Sequence, residues 1–291
     1  MRYYLEYLFF RFIALIVSLL GIKNVKYAAF PVFYLFYYLI PIRKKVVLKN
    51  LKLAFPNLPE PKIIEIAKQN YLSFAITFLE IMALNSASEE EIKEIIYVDN
   101  EDLIKSKFNE GRGLILLTAH FGNWELGGII MKLILNHPLV VLSKRQKNMY
   151  VARWMKKSRE RFGNTEIYIG ISVRELYTAL KNKSVVGIVG DQRAPQTSIK
   201  INFFNHPTPF FGGFTNLALK LHTPVIAAFA VRQADYRYRV EIHELDISSS
   251  TGTSEENIRN LLQQYADILQ AKIISNPEQW FWMHNIWKYN H

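Results

Sequence analysis

A histidine and a glutamate five positions apart, His120 and Glu125, lie in the run 113–128, GLILLTAHFGNWELGG. An imidazole held by a carboxylate is an oriented general base, able to take a proton from an attacking hydroxyl. On one uninterrupted helix the two side chains would point about 140° apart and would not meet. The run reads instead as a short buried strand over 114–118 that delivers His120 at its carboxyl end. Gly122 then permits a tight turn, and a helix begins near Trp124 with Glu125 in its first turn. Open α/β folds build their sites at the carboxyl ends of sheet strands. The backbone N–H groups of Gly122 and Asn123, at the helix start, are candidate donors to an oxyanion. The bland alternative is a buried histidine beside a surface glutamate that caps a helix.

Two further stretches stand out. Residues 185–195, VVGIVGDQRAP, form a buried strand ending on Asp191, which on its own would pass as a turn residue. Residues 276–288, NPEQWFWMHNIWK, crowd tryptophans, Phe281, Met283 and His284 together and predict a terminal helix covering the core, with His284 a packing residue.

Taken in order, these three blocks resemble the membrane-bound glycerolipid and lipid A acyltransferases, and most resemble the late lipid A acyltransferases of lauroyl or myristoyl type. The similarity runs from the first basic cluster to the C-terminus. It implies that Asp191 is a second carboxylate close to His120, and it leaves open whether Glu125 or Asp191 holds the imidazole. Gln192 and Arg193, in the same block, become substrate-binding candidates. Arg145 and Asn148 resemble an arginine–asparagine pair that follows this strand in the family, with Arg145 suited to a phosphate or pantetheine group through its planar fork of donors. The donor implied is an acyl carrier protein, which is acidic, and Lys144, Lys147, Lys156 and Lys157 are the residues expected to dock it. The reaction implied is transfer of a fatty acyl chain from a carrier thioester to a hydroxyl of a membrane glycolipid, with no cofactor and no metal. Asn285 and Ile286 depart from the family, which commonly has basic residues there, and this weakens the case for a doubly phosphorylated acceptor. The alternatives are another lipid acceptor (a phospholipid, aminolipid or mannolipid) with acyl-CoA as possible donor.

The elements that must position these residues follow from composition and periodicity. Half of the 291 residues are hydrophobic and 14% are aromatic, enough for a sizeable core. Cysteine is absent, which excludes a thiol nucleophile, disulfides and thiolate metal sites. The formal charge is +11, and residues 1–55 carry nine Lys or Arg against the single Glu6. Basic charge beside apolar sequence points to an anionic membrane surface before nucleic acid. In 3–22 the uninterrupted apolar part, 12–22, is too short to span a hydrocarbon core unaided. The tyrosine-rich run 25–42 suits an interface. A cleavable signal peptide is disfavoured. The expectation is a membrane anchor and interfacial helix or shallow hairpin over 1–45, then an acyltransferase domain over 46–291, at the inner membrane with its catalytic part facing the cytoplasm.

From Pro61 a helical pattern runs to about Leu84, with Ile63, Ile66, Ala67, Asn70, Phe74, Phe78 and Ile81 on one face. A short charged helix covers 89–95. Strands are expected at 114–118, 139–143, 166–169, 185–189, 199–204, 225–231 and 238–243, and helices at 124–135, 150–162, 173–181, 214–221 and 254–274. This alternation predicts an α/β fold, a mixed, largely parallel central sheet with helices on both faces, preceded by the membrane-associated helical segment. The stretch 203–214 reads as a loop rich in Phe, Pro and Gly that could line an acyl groove. A rival from another class, a non-enzymatic basic peripheral membrane or nucleic-acid-binding protein, is disfavoured because the aromatics cluster in apolar runs instead of alternating with Lys and Arg on strands.

Overall fold

The five residues Leu114–Thr118 form β2 because both faces of that strand are covered: four of the five are buried, and a parallel strand at the centre of a sheet needs no polar alternation. The computed structural model describes residues 1–144, 146–168, 172–248 and 252–288. Its main sheet has seven strands: β1 (Ile96–Val98), β2, β3 (Leu139–Ser143), β4 (Thr165–Tyr168), β5 (Val185–Val189), and two further strands introduced below as β8 (Val225–Arg232) and β9 (Tyr238–Leu245). Their order is β1-β9-β8-β2-β5-β3-β4. Every neighbouring pair is parallel except β8 and β9, which form an antiparallel hairpin. A mixed, largely parallel sheet is therefore what the alternation of elements produces. The strand expected at 199–204 is not part of it. Lys200–Phe203 (β6) pairs with His206–Pro209 (β7) as a separate hairpin. Phe204 and Asn205, both at positive φ, make the two-residue turn such a hairpin requires. The stretch expected as loop thus contains a strand, and its Phe203, Phe204, Phe210 and Phe214 are buried core.

Register decides where chemistry can occur. β2 and β5 are adjacent and parallel, with Thr118 opposite Val189. Residues two positions beyond each strand, His120 and Asp191, are consequently delivered to the same place. The chain leaves β2 through α7 (Trp124–Leu135) towards β3, but leaves β5 through the β6–β7 hairpin and α10 (Gly213–Leu221) towards β8, on the opposite side of β2. The two connections diverge, which opens a crevice at the carboxyl ends of β2 and β5, the usual location of ligands in open α/β sheets.

Helices cover both faces. One apolar cluster joins α3 (Lys44–Ala54), the first half of α4 (Glu60–Ala83), α9 (Ser172–Lys181), α10 and α11 (Glu255–Ser275) to Leu117, Val186 and Phe229 of the sheet. The other joins α1 (Arg2–Leu20), α2 (Val25–Tyr34), the second half of α4, α5 (Glu89–Ile95), α6 (Glu101–Asn109) and α7 to Leu116, Val185 and Ala228. Three local expectations change. Phe78 of α4 is 40% exposed, because the second half of that helix instead turns Ser73, Thr77 and Glu80 inward. β1 and α6 went unforeseen, since three residues at a sheet edge carry little periodicity. The terminal block is no helix: a single 3₁₀ turn, Pro277–Gln279, precedes an irregular segment in which Trp280 bridges to Phe121. Its Trp280, Trp282 and Trp287 are buried, which a regular helix with one buried stripe could not achieve at these spacings.

At the N-terminus, α1 continues through Glu6 and Arg11, whose charges lie on its exposed side, where Arg2 and Glu6 form an i,i+4 pair. It is the one helix among the described residues that is long and apolar enough to cross a membrane. Only Ala14 and Val17 of α1 are buried, whereas Leu5, Phe9, Phe12, Leu15 and Leu19 stand exposed. Between α2, which continues into a π-helical turn at Leu35–Leu39, and α3 the chain bends by 91°. Tyr27, Phe30, Tyr34, Tyr38 and Leu39 add to the exposed apolar surface just before the basic run Arg43, Lys44 and Lys45.

Candidate active site

The Nδ1 of His120 lies 2.7 Å from Oδ1 of Asp191. The other carboxylate oxygen, Oδ2, accepts the backbone N–H of His120 at 2.9 Å and the indole N–H of Trp280 at 2.8 Å. Asp191 is almost completely buried. Burial alone would push its carboxyl up, but the facing imidazole and the three hydrogen bonds outweigh it and hold the group below the ordinary carboxylate range. An ionised carboxylate only accepts, so Nδ1 of His120 must carry a proton and the neutral ring keeps its lone pair on Nε2. For His120 the balance is reversed. Burial pushes its pKa down, and the charge and hydrogen bond of Asp191, helped by the charge of Glu125, bring it above the ordinary 6.5. The Trp124 ring and the imidazole pack in a T-shaped contact, with centroids 4.9 Å apart.

Glu125 does not hold His120. Its carboxylate takes a two-pronged bond from Arg159 of α8 (Met149–Arg161), at 3.0 Å from Nε and 2.5 Å from Nη2. Arg159 bonds Glu166 with its remaining arm at 2.6 Å. A planar guanidinium offers a fork that a carboxylate fits better than an imidazole does, so the arginine claims the glutamate.

Gly122 and Asn123 also differ from expectation. The N–H of Gly122 donates to the carbonyl of Gln279 at 2.9 Å, and that of Asn123 to the carbonyl of Ala230 at 3.4 Å. Donors engaged with the backbone are not free for an oxyanion. What Gly122 supplies is conformation: it sits at φ +54°, and a Cβ there would lie 1.8 Å from the carbonyl oxygen of Ala230. The Asn123 side chain, fully buried, caps α7 by accepting the N–H of Leu126.

A cavity of about 450 Å³ opens from His120. Trp124, Gln192 and Lys144 line it, with Leu139, Val141, Ile188 and Phe214 among its many apolar walls and the Glu125–Arg159–Glu166 cluster set into one side. The amide Nε2 of Gln192 stands 3.5 Å from Nε2 of His120. Of the other expected residues, Arg193 turns away from the cavity: its N–H donates to Nε2 of His284 at 2.8 Å and its guanidinium to the carbonyl of Asn285. Burial pushes His284 down to about 4, which keeps it a neutral acceptor in that bond. Asn148 caps α8 and ties it to Tyr3 of α1, so its amide is committed to structure. Arg145 lies outside the described residues. Lys147 and Lys157 are exposed, Lys156 is half-buried beside Glu160, and Lys144 is on the cavity rim. Arg159, Glu166 and Trp280 are the participants that sequence reasoning missed. For Arg159 the only signal was membership of a basic run.

A profile of bacterial lipid A biosynthesis acyltransferases matches residues 1–289. The lipid A biosynthesis palmitoleoyltransferase of Escherichia coli (strain K12) is 25% identical over 258 residues, which cover 84% of this chain and 79% of that one. A lipid A biosynthesis acyltransferase of Haemophilus influenzae is 22% identical over 250 residues, 84% of this chain and 78% of the relative. A phosphatidylinositol mannoside acyltransferase of Mycolicibacterium smegmatis is 22% identical over 228 residues, 77% and 72% of the two chains. Matched along nearly its whole length, the chain belongs to the bacterial lipid A biosynthesis acyltransferase family and is an acyltransferase.

Proposed function

We propose that the protein transfers a fatty acyl chain from an acyl carrier thioester to a hydroxyl of a membrane glycolipid of the lipid A precursor type, with His120 as general base and Asp191 as its partner. The observation that carries this reading is the 2.7 Å contact between the two side chains at the head of a largely apolar cavity. Nε2 of His120 takes the proton of the acceptor hydroxyl as its oxygen attacks the thioester carbonyl. The C–S bond then breaks, and the departing thiolate recovers that proton from the imidazolium. Asp191 steadies the imidazolium throughout, and proton transfer of this kind contributes about 10²- to 10⁴-fold. With the backbone donors of Gly122 and Asn123 engaged, the amide of Gln192 is the donor at hand for the developing oxyanion or the acceptor hydroxyl. The apolar walls receive the acyl chain. Glu125 and Arg159 shape one wall.

Residues 1–45 attach the enzyme to the inner membrane with the catalytic part on the cytoplasmic side, an assignment supported by the exposed apolar residues of α1 and α2 and the basic run behind them. Mass spectrometry of lipids from cells with and without active protein tests the whole reading. One added acyl chain on a lipid A precursor is the expected difference. The same addition on a mannolipid instead, as the name of the mycobacterial relative would suggest, overturns the acceptor and leaves the chemistry.

The carrier protein approaches over the exposed lysines beside the cavity rim. Attraction of opposite charges raises the encounter rate and weakens with ionic strength. Reversing Lys147 and Lys157 to Glu is therefore expected to raise the KM for carrier-bound donor several-fold at low salt with kcat little changed. A KM that ignores both the substitutions and a salt series would contradict docking there.

A further inference from the structure

Behind the His120 turn lies a buried polar network that the proton transfer itself does not use. Arg232, at the end of β8, is nearly buried. It donates through Nε to the Tyr238 hydroxyl at 2.7 Å, through Nη1 to Ser73 Oγ at 2.8 Å and through Nη2 to Thr77 Oγ1 at 2.6 Å. Glu80, also buried, faces it at 3.6 Å and accepts the Tyr238 hydroxyl at 2.5 Å. The network reaches the catalytic loop at three points. Asn123 donates its side-chain amide to Glu80 at 3.0 Å. Thr77 donates its hydroxyl to the carbonyl of Gly122 at 3.0 Å. Gln279 exchanges two bonds with the backbone of Arg232, at 2.8 and 2.9 Å, and its own carbonyl receives the N–H of Gly122.

A buried ion pair is a poor device for stability, since apolar side chains of similar volume serve as well or better once desolvation is counted. A fully bonded buried polar network instead rigidifies and specifies an arrangement. Here the arrangement it specifies is the turn 122–123, separated from His120 by Phe121 in the same loop, whose left-handed glycine and buried asparagine have no regular secondary structure to hold them.

We propose that Glu80, braced by Arg232, is a positioning residue that acts through Asn123, while Thr77 and Gln279 of the same network fix Gly122, to hold the His120 ring in line with Asp191 and the cavity. This inference rests on the reading of His120 as the general base. About 1 Å of displacement at a reacting group costs about 10²-fold in rate, and a backbone turn freed from one side tolerates such a displacement.

The test is steady-state acyl transfer by purified full-length Asn123→Ser, Glu80→Gln and His120→Ala proteins, with melting temperatures and the pH dependence of kcat/KM. Serine keeps an oxygen that caps α7 but is too short to reach Glu80, so Asn123→Ser separates the link from the fold. Expected for Asn123→Ser is a folded protein whose kcat falls by about 10²-fold, the cost of misplacement, with an unchanged KM for donor and an acid limb moved to lower pH as His120 loses its alignment with Asp191. Glu80→Gln should show the same signature in whatever fraction folds. Parental kcat and pH profile in folded Asn123→Ser would overturn the proposal. So would a loss of activity that follows only the loss of folded protein, with the acid limb in place. If His120→Ala itself retains transfer, the general-base reading fails; if it is inactive while Asn123→Ser is normal, only the positioning role fails.

Discussion

Replacing Asp191 with Asn is expected to lower acyl transfer by about 10⁴-fold, the loss that the same change produces in a Ser-His-Asp triad by imposing the wrong tautomer. The geometry explains why. Oδ2 of Asp191 accepts two donors, the N–H of His120 and the indole of Trp280, so the amide oxygen of an asparagine must take that position. Its NH₂ group then faces Nδ1 of His120. A donor there forces the lone pair onto Nδ1 and the proton onto Nε2, and the cavity loses its base. Glu125→Gln should cost much less, below about tenfold, because an amide oxygen still accepts from Arg159 and leaves the imidazole tautomer unchanged. Parallel kcat/KM measurements of the two variants check this. A greater loss from Glu125→Gln would contradict the assignment of Asp191.

His120→Ala is expected to reduce transfer by 10²-fold or more, equivalent to about 2.7 kcal/mol or more of transition-state stabilisation. Stability should change little. Asp191 keeps two of its three hydrogen bonds, since the backbone N–H of residue 120 and the indole of Trp280 are untouched. The ring itself borders a cavity instead of filling core. A melting temperature within a few degrees of the parent, with transfer nearly abolished, is the result expected in calorimetry and a donor-consumption assay. Combining His120→Ala with Asp191→Asn should cost little beyond His120→Ala alone, as groups acting in one unit are not additive.

How far the sequence carried depended on the distance over which each contact is made. β2 and β5 were legible as apolar runs ending on His120 and Asp191. Their adjacency was not, because strand order is set by crossovers that local pattern does not contain. The family resemblance was needed to suggest that Asp191 lies near His120. Glu125 misled in the opposite direction: its five-residue proximity to His120 was visible, whereas the guanidinium that binds it stands 34 positions away on α8. The oxyanion donors failed for a similar reason. An N–H at a helix start looks free until the carbonyls of Gln279 and Ala230, from distant elements, are brought against it. In the terminal block the aromatic residues announced burial correctly, but a helix was the wrong vehicle. Asn50 and Asn70 each donate to two carbonyls of that segment, which secures a backbone that regular structure does not.

The ionisation of His120 tests the central claim most directly, because a general base must be neutral to act and Asp191 holds this one above the ordinary 6.5. Below that raised pKa the ring is protonated and cannot accept the acceptor's proton, so the rate must climb as pH rises through it. The measurement is a ring ¹⁵N NMR titration of His120 in the intact protein, set beside the pH profile of kcat/KM. The account predicts one midpoint above 6.5 shared by both, with the neutral ring protonated at Nδ1. A midpoint at or below 6.5, a neutral ring protonated at Nε2, or a kinetic limb that does not follow His120 would contradict it.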